Sequence, residues 1–346
     1  MNPTVDVVIP TRNRERFLEA CLRSVEQQTL QPKAVIVVDD GSTDGSVALL
    51  QKLALNWKKL VVIPTPPRGV SAARNTALAA STADLVAFID SDDTWDPQKL
   101  EKQVALFTSN RPELSLVYCG LRRIDERGQP LEMPDVVPNK RGRVFTDILD
   151  GFYGIAPSTM VIRRNALRSI GGFDESLVLA EDRDLCLKLA RVSEFDCISE
   201  ALVSFRVHGE STYKRAMKHE PEFVLLQRLQ VWNVWIAEIR DLKAVLNRFR
   251  REAAGAVTFW HFFAPRSGLY HRLRNSEIAL ARRLFPAPWY YFAAFARRPP
   301  RRRFGLTRDF AARHLIAPYP PVLRLAQRFG RLKGLSPRQR EPGSTP

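Results

Sequence analysis

Cysteine is scarce in this sequence. The 346 residues contain only Cys21, Cys119, Cys186 and Cys197. They form no CxxC pair and have no histidine pair nearby, so the sequence predicts neither a zinc site nor a disulfide framework. We expect four buried thiols in a reducing compartment.

Long apolar runs and a leader pattern are also missing. No uninterrupted apolar stretch reaches the roughly 18–20 residues that a membrane-spanning helix needs. The first residues lead directly into a strand-like run, without the basic and apolar regions of a signal peptide. These features predict a cytoplasmic protein.

Acidic residues are scarce in only one part of the chain. The whole sequence has a formal charge of +16 and a globular composition, with 45% hydrophobic and 26% charged residues. Residues 1–213 sum to −3, whereas residues 214–346 sum to +19. The sequence therefore predicts a near-neutral domain over 1–213, a basic, aromatic-rich extension over 214–335 and a disordered tail over 336–346. A membrane surface, a nucleic acid or an acidic substrate would suit the basic part.

Short β-branched runs alternate with helical patterns in the first half of the chain. Strands are predicted over residues 5–9, 34–38, 60–63, 85–89, 116–119 and 202–207. Helices are predicted over residues 14–28, 46–55, 70–80 and 97–107, near 144–149, and over 185–190 and 221–249. This alternation predicts an α/β domain with a mostly parallel sheet, flanked by helices.

Polar residues follow three of the predicted strands. The clusters are Pro10-Thr11-Arg12-Asn13, Asp39-Asp40-Gly41-Ser42 and Asp90-Ser91-Asp92-Asp93. Ligands of open α/β sheets bind outside the carboxyl ends of the strands, so we expect these side chains to converge.

The third of these clusters is typical of a cation site. Three carboxylates within four residues repel one another unless a cation neutralises them. Oxygen ligands suit Mg²⁺ or Mn²⁺, which also bind phosphate. A solvated acidic turn is the alternative, and the neighbouring clusters favour the metal.

Two further patterns, the pair Asp39-Asp40 and the helix that starts near Gly69, indicate a nucleotide. Asp39 and Asp40 suit a base and a ribose hydroxyl, while the residues after them are expected to cap a helix. The helix that starts near Gly69 has an N-terminus suited to a diphosphate, with Arg74 adding a charge-assisted contact. An ordinary amphipathic helix start is the alternative there.

Together these motifs resemble glycosyltransferase family 2, whose members have the GT-A nucleotide-diphospho-sugar transferase fold. The resemblance covers residues 3–213, with six motifs in order. They are Val8 to Asn13, Val37 to Asp44, Gly69 to Asn75, Phe88 to Trp95, Gly171 to Glu175, and Glu181 to Leu185. It implies a GT-A catalytic domain over 1–213, and the helical pattern that follows predicts a mainly helical extension. It also implies an inverting transfer of sugar from a nucleotide-sugar, most simply a UDP-sugar, to a glycan or lipid-linked acceptor in cell-surface polysaccharide synthesis.

The resemblance also implies roles for single residues. Thr11 and Asp40 would contact the base, and Arg74 would lie near the diphosphate. Asp90 and Asp92 would form a DxD motif that reaches the ribose and a Mn²⁺ or Mg²⁺ ion, with Asp93 as the alternative metal ligand. His208 would join the metal or the diphosphate, unless it is a packing histidine. The remaining donor-site candidates are Pro10, Arg12, Asn13, Asp39 and Ser91.

Inverting transfer also needs a carboxylate that takes the proton of the acceptor hydroxyl. The resemblance points to Asp182 as this base, with Glu181 as the fallback. An acidic first turn of the following helix is the alternative, and both can hold at once. Phe173, in a predicted flexible loop, is expected to stack on a sugar.

The basic extension contains an aromatic segment followed by an arginine run, over residues 284–303. This pattern predicts docking on an anionic inner membrane surface near a lipid-linked acceptor. Packing of the aromatic residues on the catalytic domain is the alternative, and flotation with neutral and anionic vesicles would distinguish the two.

Two rival functions have less support. A nucleic-acid-binding protein would use the basic extension, but no helix-turn-helix, zinc-finger or RNA-recognition pattern is present. A nucleotidyltransferase would be expected to have a glycine-rich basic loop after the first strand, and residues 10–13 lack one.

Overall fold

A computed structural model describes residues 3–109, 111–149, 154–209 and 231. All of these residues belong to one compact unit of the chain. The predicted helix over 221–249, apart from residue 231, and the predicted membrane segment, extension and tail lie outside the described residues.

The first half consists of strands joined by helices. The strands are β1 (Val5–Thr11), β2 (Ala34–Asp40), β3 (Leu60–Thr65), β4 (Leu85–Phe88) and the short β5 (Thr94–Trp95). The helices are α1 (Glu15–Glu26), α2 (Ser46–Asn56), α3 (Val70–Ala80) and α4 (Lys99–Leu106). The predicted order of elements is confirmed for this half.

The second half is less regular. It contains β6 (Leu114–Ile124), α5 (Phe145–Leu149), a 3₁₀ turn (Pro157–Thr159), β7 (Met160–Arg163), α6 (Arg164–Ser169), α7 (Glu181–Val192) and β8 (Glu194–Arg206). Both long strands extend well beyond the predicted segments. Polar residues interrupt the apolar pattern in the rest of β6 and β8, so those parts were not predicted as strands. Helix α7 begins four residues before the predicted segment, at the acidic pair Glu181 and Asp182.

The strands form one mixed sheet in the order β3-β2-β1-β4-β7-β6-β8-β5. In the described part of the chain, four neighbouring pairs are parallel, namely β1–β2, β1–β4, β2–β3 and β6–β8. Strand β7 runs antiparallel to both β4 and β6, and β5 runs antiparallel to β8. The sheet is therefore mostly parallel, as predicted, with an antiparallel strand inserted at its centre.

Burial explains why these segments are strands and helices. Every residue of β1 and β4 is buried, as expected for central strands covered on both faces. Helix α1 buries the apolar face predicted from its spacing, from Phe17 to Val25. Because β1 pairs in parallel with both β2 and β4, the carboxyl ends of these three strands lie at one edge of the sheet.

The first two predicted polar clusters begin inside β1 and β2. Thr11 is in register with Asp39 across β1 and β2, and Asp40 is in register with Thr65 across β2 and β3. The strands therefore extend two residues beyond the predicted ends, because these polar residues still take part in the sheet. Among the described residues, no helix is long and apolar enough to cross a membrane.

Candidate functional site

The residues Asp90 to Asp93, called here the acidic turn, follow β4 directly. The backbone N–H of Asp90 donates to Ser158 Oγ at 3.0 Å, and the backbone N–H of Asp93 closes the turn on the Asp90 carbonyl at 3.0 Å. Ser91 is buried within it. The three carboxylates of the turn contact three different parts of the fold.

Asp92 contacts a histidine and an arginine. Its Oδ2 lies 2.9 Å from His208 Nε2, just after β8, and 3.3 Å from Arg14 Nε, just before α1. Burial alone would raise the pKa of Asp92, but the His208 hydrogen bond and the Arg14 charge lower it below its usual value. The structure thus brings together Asp92 and His208, two of the predicted metal ligands.

Asp90 is joined to the start of α7 by a buried arginine. Arg74 Nη2 lies 2.7 Å from Asp90 Oδ1, and Arg74 Nη1 lies 2.7 Å from Glu181 Oε1. The Arg74 side chain is only 2% exposed. Arg74 therefore forms an ionic bridge between the two acidic motifs, and its predicted place near a diphosphate stays a prediction.

Asp93 is the most deeply buried carboxylate of the acidic turn. Ser158 Oγ donates to its Oδ2 at 2.6 Å, and the backbone N–H of Arg206 donates to its Oδ1 at 2.9 Å. Burial, followed by the charges of Asp92 and Asp90, raises the pKa of Asp93 well above its usual value. Both oxygens therefore already have partners within the protein.

The two acidic residues at the start of α7, Glu181 and Asp182, make different contacts. Glu181 is held by Arg74, yet burial raises its pKa from 4.5 to about 7, with Asp182 adding to the rise. Asp182 is less buried and accepts a hydrogen bond from the backbone N–H of Arg183 at 2.7 Å. Burial and the charge of Asp90 raise the pKa of Asp182. The two acidic motifs are therefore within electrostatic reach of each other.

Thr11 and Asp39 carry buried polar atoms without partners. Thr11 Oγ1 and Asp39 Oδ1 have no hydrogen-bond partner in the described part of the chain, although both residues are in register at the carboxyl edge. Buried polar atoms are normally paired. A ligand with a hydrogen-bond donor and an acceptor would satisfy both.

The other residues of these two clusters stabilise loops. Both oxygens of Asp40 accept backbone N–H groups, from Arg68 at 2.6 Å and Gly69 at 2.9 Å. Asn13 has a left-handed backbone, and its Oδ1 accepts the backbone N–H of Thr43 at 2.7 Å. Asp40 thus fixes the loop before α3, and its predicted contact with the base stays a prediction. Pro10 is buried in β1, and Arg12 is exposed beside Asn13.

Phe173 corrects one prediction. Its ring is buried, packs edge-to-face on Phe88 with a centroid distance of 5.4 Å, and lies 5.2 Å below the Arg74 guanidinium. Asn75 binds both the backbone N–H and the carbonyl of Phe173, at 2.9 Å each. The loop is therefore fixed on α3, and the predicted stacking of Phe173 on a sugar is wrong in this structure.

The residues present fit a divalent cation only in part. No group of three or more histidine, cysteine or acidic side chains within residues 3–109, 111–149 and 154–209 is arranged to hold a metal ion. Asp92 Oδ2 and His208 Nε2 are nevertheless adjacent donors of types that bind Mn²⁺. Since cations in phosphate sites usually take one or two protein carboxylates and complete their shell with phosphate and water, this pair fits such a site.

Three residues of the site were not predicted. Arg14 directly follows the first polar cluster, and its charge next to residues 12 and 13 was a usable signal. Arg206 stands in the motif that led to His208, and its guanidinium donates to the Asp92 carbonyl at 2.8 Å. Ser158 has no signal in the sequence, because its role depends on where the 3₁₀ turn meets β4.

The pKa of Glu181 gives a pH prediction. Because the folded value of about 7 lies above the ordinary 4.5, its stabilising contribution is complete below about pH 4.5 and is lost as the pH rises through 7. We expect the free energy of unfolding of the wild type, relative to Glu181→Gln, to fall by about 1–3 kcal/mol over that range.

Urea unfolding at several pH values measures this difference. Replacing the exposed Glu132 by glutamine is the matched control and should leave the pH dependence unchanged. A constant gap between wild type and Glu181→Gln from pH 4.5 to 7.5 would contradict the raised pKa.

Comparison with known proteins adds to this geometry. The sequence model described as Glycosyl transferase family 2 matches residues 6–171. The chain is 30% identical over 212 residues to a chondroitin synthase from Escherichia coli, which covers 61% of this chain and 30% of that protein. It is 25% identical over 228 residues to a hyaluronan synthase from Pasteurella multocida, covering 65% of this chain and 23% of that protein. The chain thus spans less than a third of the length of these two relatives.

A solved structure shows the same fold. The crystal structure of S. aureus TarS 1–349 in complex with UDP superposes with a TM-score of 0.57 and 18% sequence identity, covering 96% of this chain and 93% of that one. The likeness confirms the predicted GT-A fold.

Proposed function

We propose that this chain, whose residues 6–171 belong to glycosyl transferase family 2, transfers a sugar from a nucleotide-sugar to a hydroxyl group of a glycan. The observation that carries the proposal is the Arg74 bridge. It joins Asp90, in the predicted donor site, to Glu181, next to the predicted base. A transferase needs its donor site and its base in one cleft, and one buried arginine holds both motifs together.

The donor site is proposed to lie at the carboxyl edge of β1, β2 and β4. Thr11 Oγ1 and Asp39 Oδ1 are buried and have no hydrogen-bond partner among the residues that the structure describes, which suits the edge of a nucleobase. UDP is the proposed nucleotide, since the TarS structure with the same fold was solved with UDP. Asp92 and His208 would hold a Mn²⁺ or Mg²⁺ ion, which when bound stabilises the charge of the diphosphate leaving group.

The proposed chemistry is transfer with inversion. Asp182 would take the proton of the acceptor hydroxyl as its oxygen attacks the anomeric carbon, and the nucleoside diphosphate would leave. Its raised pKa suits a group that must accept a proton near neutral pH. Glu181 would hold α7 in place through Arg74, which leaves Asp182 as the better candidate for the base.

The acceptor and the location are proposed more broadly. The relatives named chondroitin and hyaluronan synthase support a polysaccharide as the acceptor class. The proposal of a lipid-linked acceptor at the inner face of a membrane is based on the sequence of residues 284–303, which lie outside the described residues. The two rival functions, nucleic-acid binding and nucleotidyl transfer, gain no specific observation from the described site.

Thermal-shift screening with a panel of nucleotide-sugars tests the proposed function. In the presence of Mn²⁺ we expect a UDP-sugar to raise the unfolding temperature of the wild type by a few degrees. A ligand present at 100 times its Kd stabilises the folded state by about 2.7 kcal/mol. The Asp92→Ala variant should lose this shift, whereas the exposed Asp135→Ala control should keep it. A wild type that responds to no nucleotide would defeat the proposal.

A further inference from the structure

Asp93 joins the acidic turn to two other parts of the fold. It is 1% exposed, and its two oxygens accept hydrogen bonds from Ser158 Oγ and from the backbone N–H of Arg206. Ser158 belongs to the 3₁₀ turn before β7, and Arg206 is the last residue of β8. A carboxylate in this position fixes the end of β8 against the acidic turn.

Ser158 is itself held firmly. Its Oγ accepts the backbone N–H of Asp90 at 3.0 Å, and its carbonyl accepts Trp95 Nε1 at 2.8 Å. The next carbonyl, that of Thr159, accepts Gln103 Nε2 at 2.9 Å. Ser158 Oγ, the donor to Asp93 Oδ2, therefore has a fixed position. Since the other oxygen of Asp93 accepts the backbone N–H of Arg206, the position of Ser158 also constrains Arg206.

The end of β8 in turn places His208. Arg206 Nε donates to the Asp92 carbonyl at 2.8 Å, and its Nη1 donates to the Asp125 carbonyl at 3.1 Å. Two residues later, His208 Nε2 lies 2.9 Å from Asp92 Oδ2, and its ring packs against Phe17 with a centroid distance of 4.9 Å. The contact between His208 and Asp92 thus depends on where β8 ends.

We propose that Asp93 is a positioning residue and not a metal ligand. Its carboxylate holds the end of β8 so that His208 meets Asp92. Each Asp93 oxygen already accepts a hydrogen bond from a buried donor and the residue is 1% exposed, whereas the Asp92 and Asp90 side chains are 18% and 30% exposed and can be reached by an ion. This inference rests on the proposed function for the metal, but the hydrogen bonds that carry it belong to the protein alone.

The two roles predict different effects of an uncharged side chain of the same shape. In Asp93→Asn the amide oxygen still accepts the Arg206 N–H, and the amide N–H can donate to Ser158 Oγ, so both contacts remain. A positioning role therefore tolerates the change, whereas a metal ligand loses its charge. In Asp93→Ala both hydrogen bonds disappear. Ser158→Ala removes the partner of Oδ2 and should resemble Asp93→Ala more than Asp93→Asn.

Calorimetric titration of Mn²⁺ in the presence of UDP distinguishes the roles. We expect Asp93→Asn to bind within about 3-fold of the wild type, and Asp93→Ala to bind about 10–100-fold more weakly, the usual cost of losing a group that orients a ligand. Asp92→Asn should bind more weakly than either, and exposed Asp135→Asn should match the wild type. An Asp93→Asn variant as weak as Asp92→Asn would overturn the proposal.

A second readout needs neither metal nor nucleotide. Long-range ¹H–¹⁵N spectra report the hydrogen bond at His208 Nε2, with a His208→Gln variant identifying its signals among the five histidines. We expect the wild-type signal to persist in Asp93→Asn and to shift in Asp93→Ala and Ser158→Ala. An unchanged signal in Asp93→Ala would also overturn the proposal. A wild type that binds no Mn²⁺ with UDP defeats the proposed function instead, and this spectrum still decides the role of Asp93.

Discussion

Replacement of Asp182 by asparagine is expected to lower kcat by about 10²–10⁴-fold, the usual contribution of a general base. Asparagine has the same shape and still accepts the N–H of Arg183, which now donates to Asp182 at 2.7 Å. The variant therefore loses the ability to take a proton while the local structure is kept. Steady-state transfer assays with the nucleotide-sugar found by thermal-shift screening measure the loss.

Glu181→Gln is the matched comparison for this variant. Its amide oxygen keeps a hydrogen bond to Arg74, which lies 2.7 Å from Glu181 Oε1, so we expect kcat to fall by less than about 10-fold if Asp182 is the base. Donor affinity, measured by calorimetry, should be nearly unchanged in Asp182→Asn. A larger loss of kcat in Glu181→Gln than in Asp182→Asn would make Glu181 the base. An Asp182→Asn variant with nearly full activity would rule out Asp182 as the base.

Replacement of Arg74 by methionine is expected to lower the free energy of unfolding by about 3–5 kcal/mol. The change leaves Asp90 Oδ1 and Glu181 Oε1 without the guanidinium that lies 2.7 Å from each. Removing one member of a buried ionic group leaves uncompensated charge, which is why the cost is large. Urea unfolding followed by circular dichroism gives the value.

Two further variants separate this effect from general disturbance. Arg23→Met breaks an exposed pair with Glu19 and should leave the free energy of unfolding nearly unchanged, because water screens exposed ion pairs. Combining Arg74→Met with Asp90→Asn and Glu181→Gln removes all three charges, and we expect more than half of the lost stability to return. A single Arg74→Met variant as stable as Arg23→Met would show that the bridge contributes little.

The sequence predicted the first half of the fold because its strands are buried on both faces. An unbroken short apolar run such as that of β4 strongly favours a buried strand. In a parallel sheet, the polar clusters that follow such strands lie at the edge where ligands bind. In β6 and β8 the runs are interrupted by polar residues, so only fragments of the two long strands were predicted.

The candidate site was predicted as a set of residues, but not as a set of contacts. Asp92 and His208 were assigned to one site, and they do meet. The burial of Arg74 and Phe173 could not be predicted, because it depends on how α3 packs against a loop about 100 residues later. Sequence patterns indicate which face of a helix is apolar, whereas the partner of a buried charge is decided by tertiary packing.

The acidic turn also has a consequence for how the domain is made. Its partners lie far along the chain: Arg74 is 16 residues from Asp90, Ser158 is 68 residues from Asp90, and His208 is 116 residues from Asp92. Contacts of such large separation form late, since the loops between them must close first. During synthesis the four parallel strands β1 to β4 can pair well before the ribosome reaches residue 208. The contact between His208 and Asp92 is therefore completed only after residue 208 has been synthesised, so a nascent chain can have β1 to β4 paired and still lack this part of the candidate site.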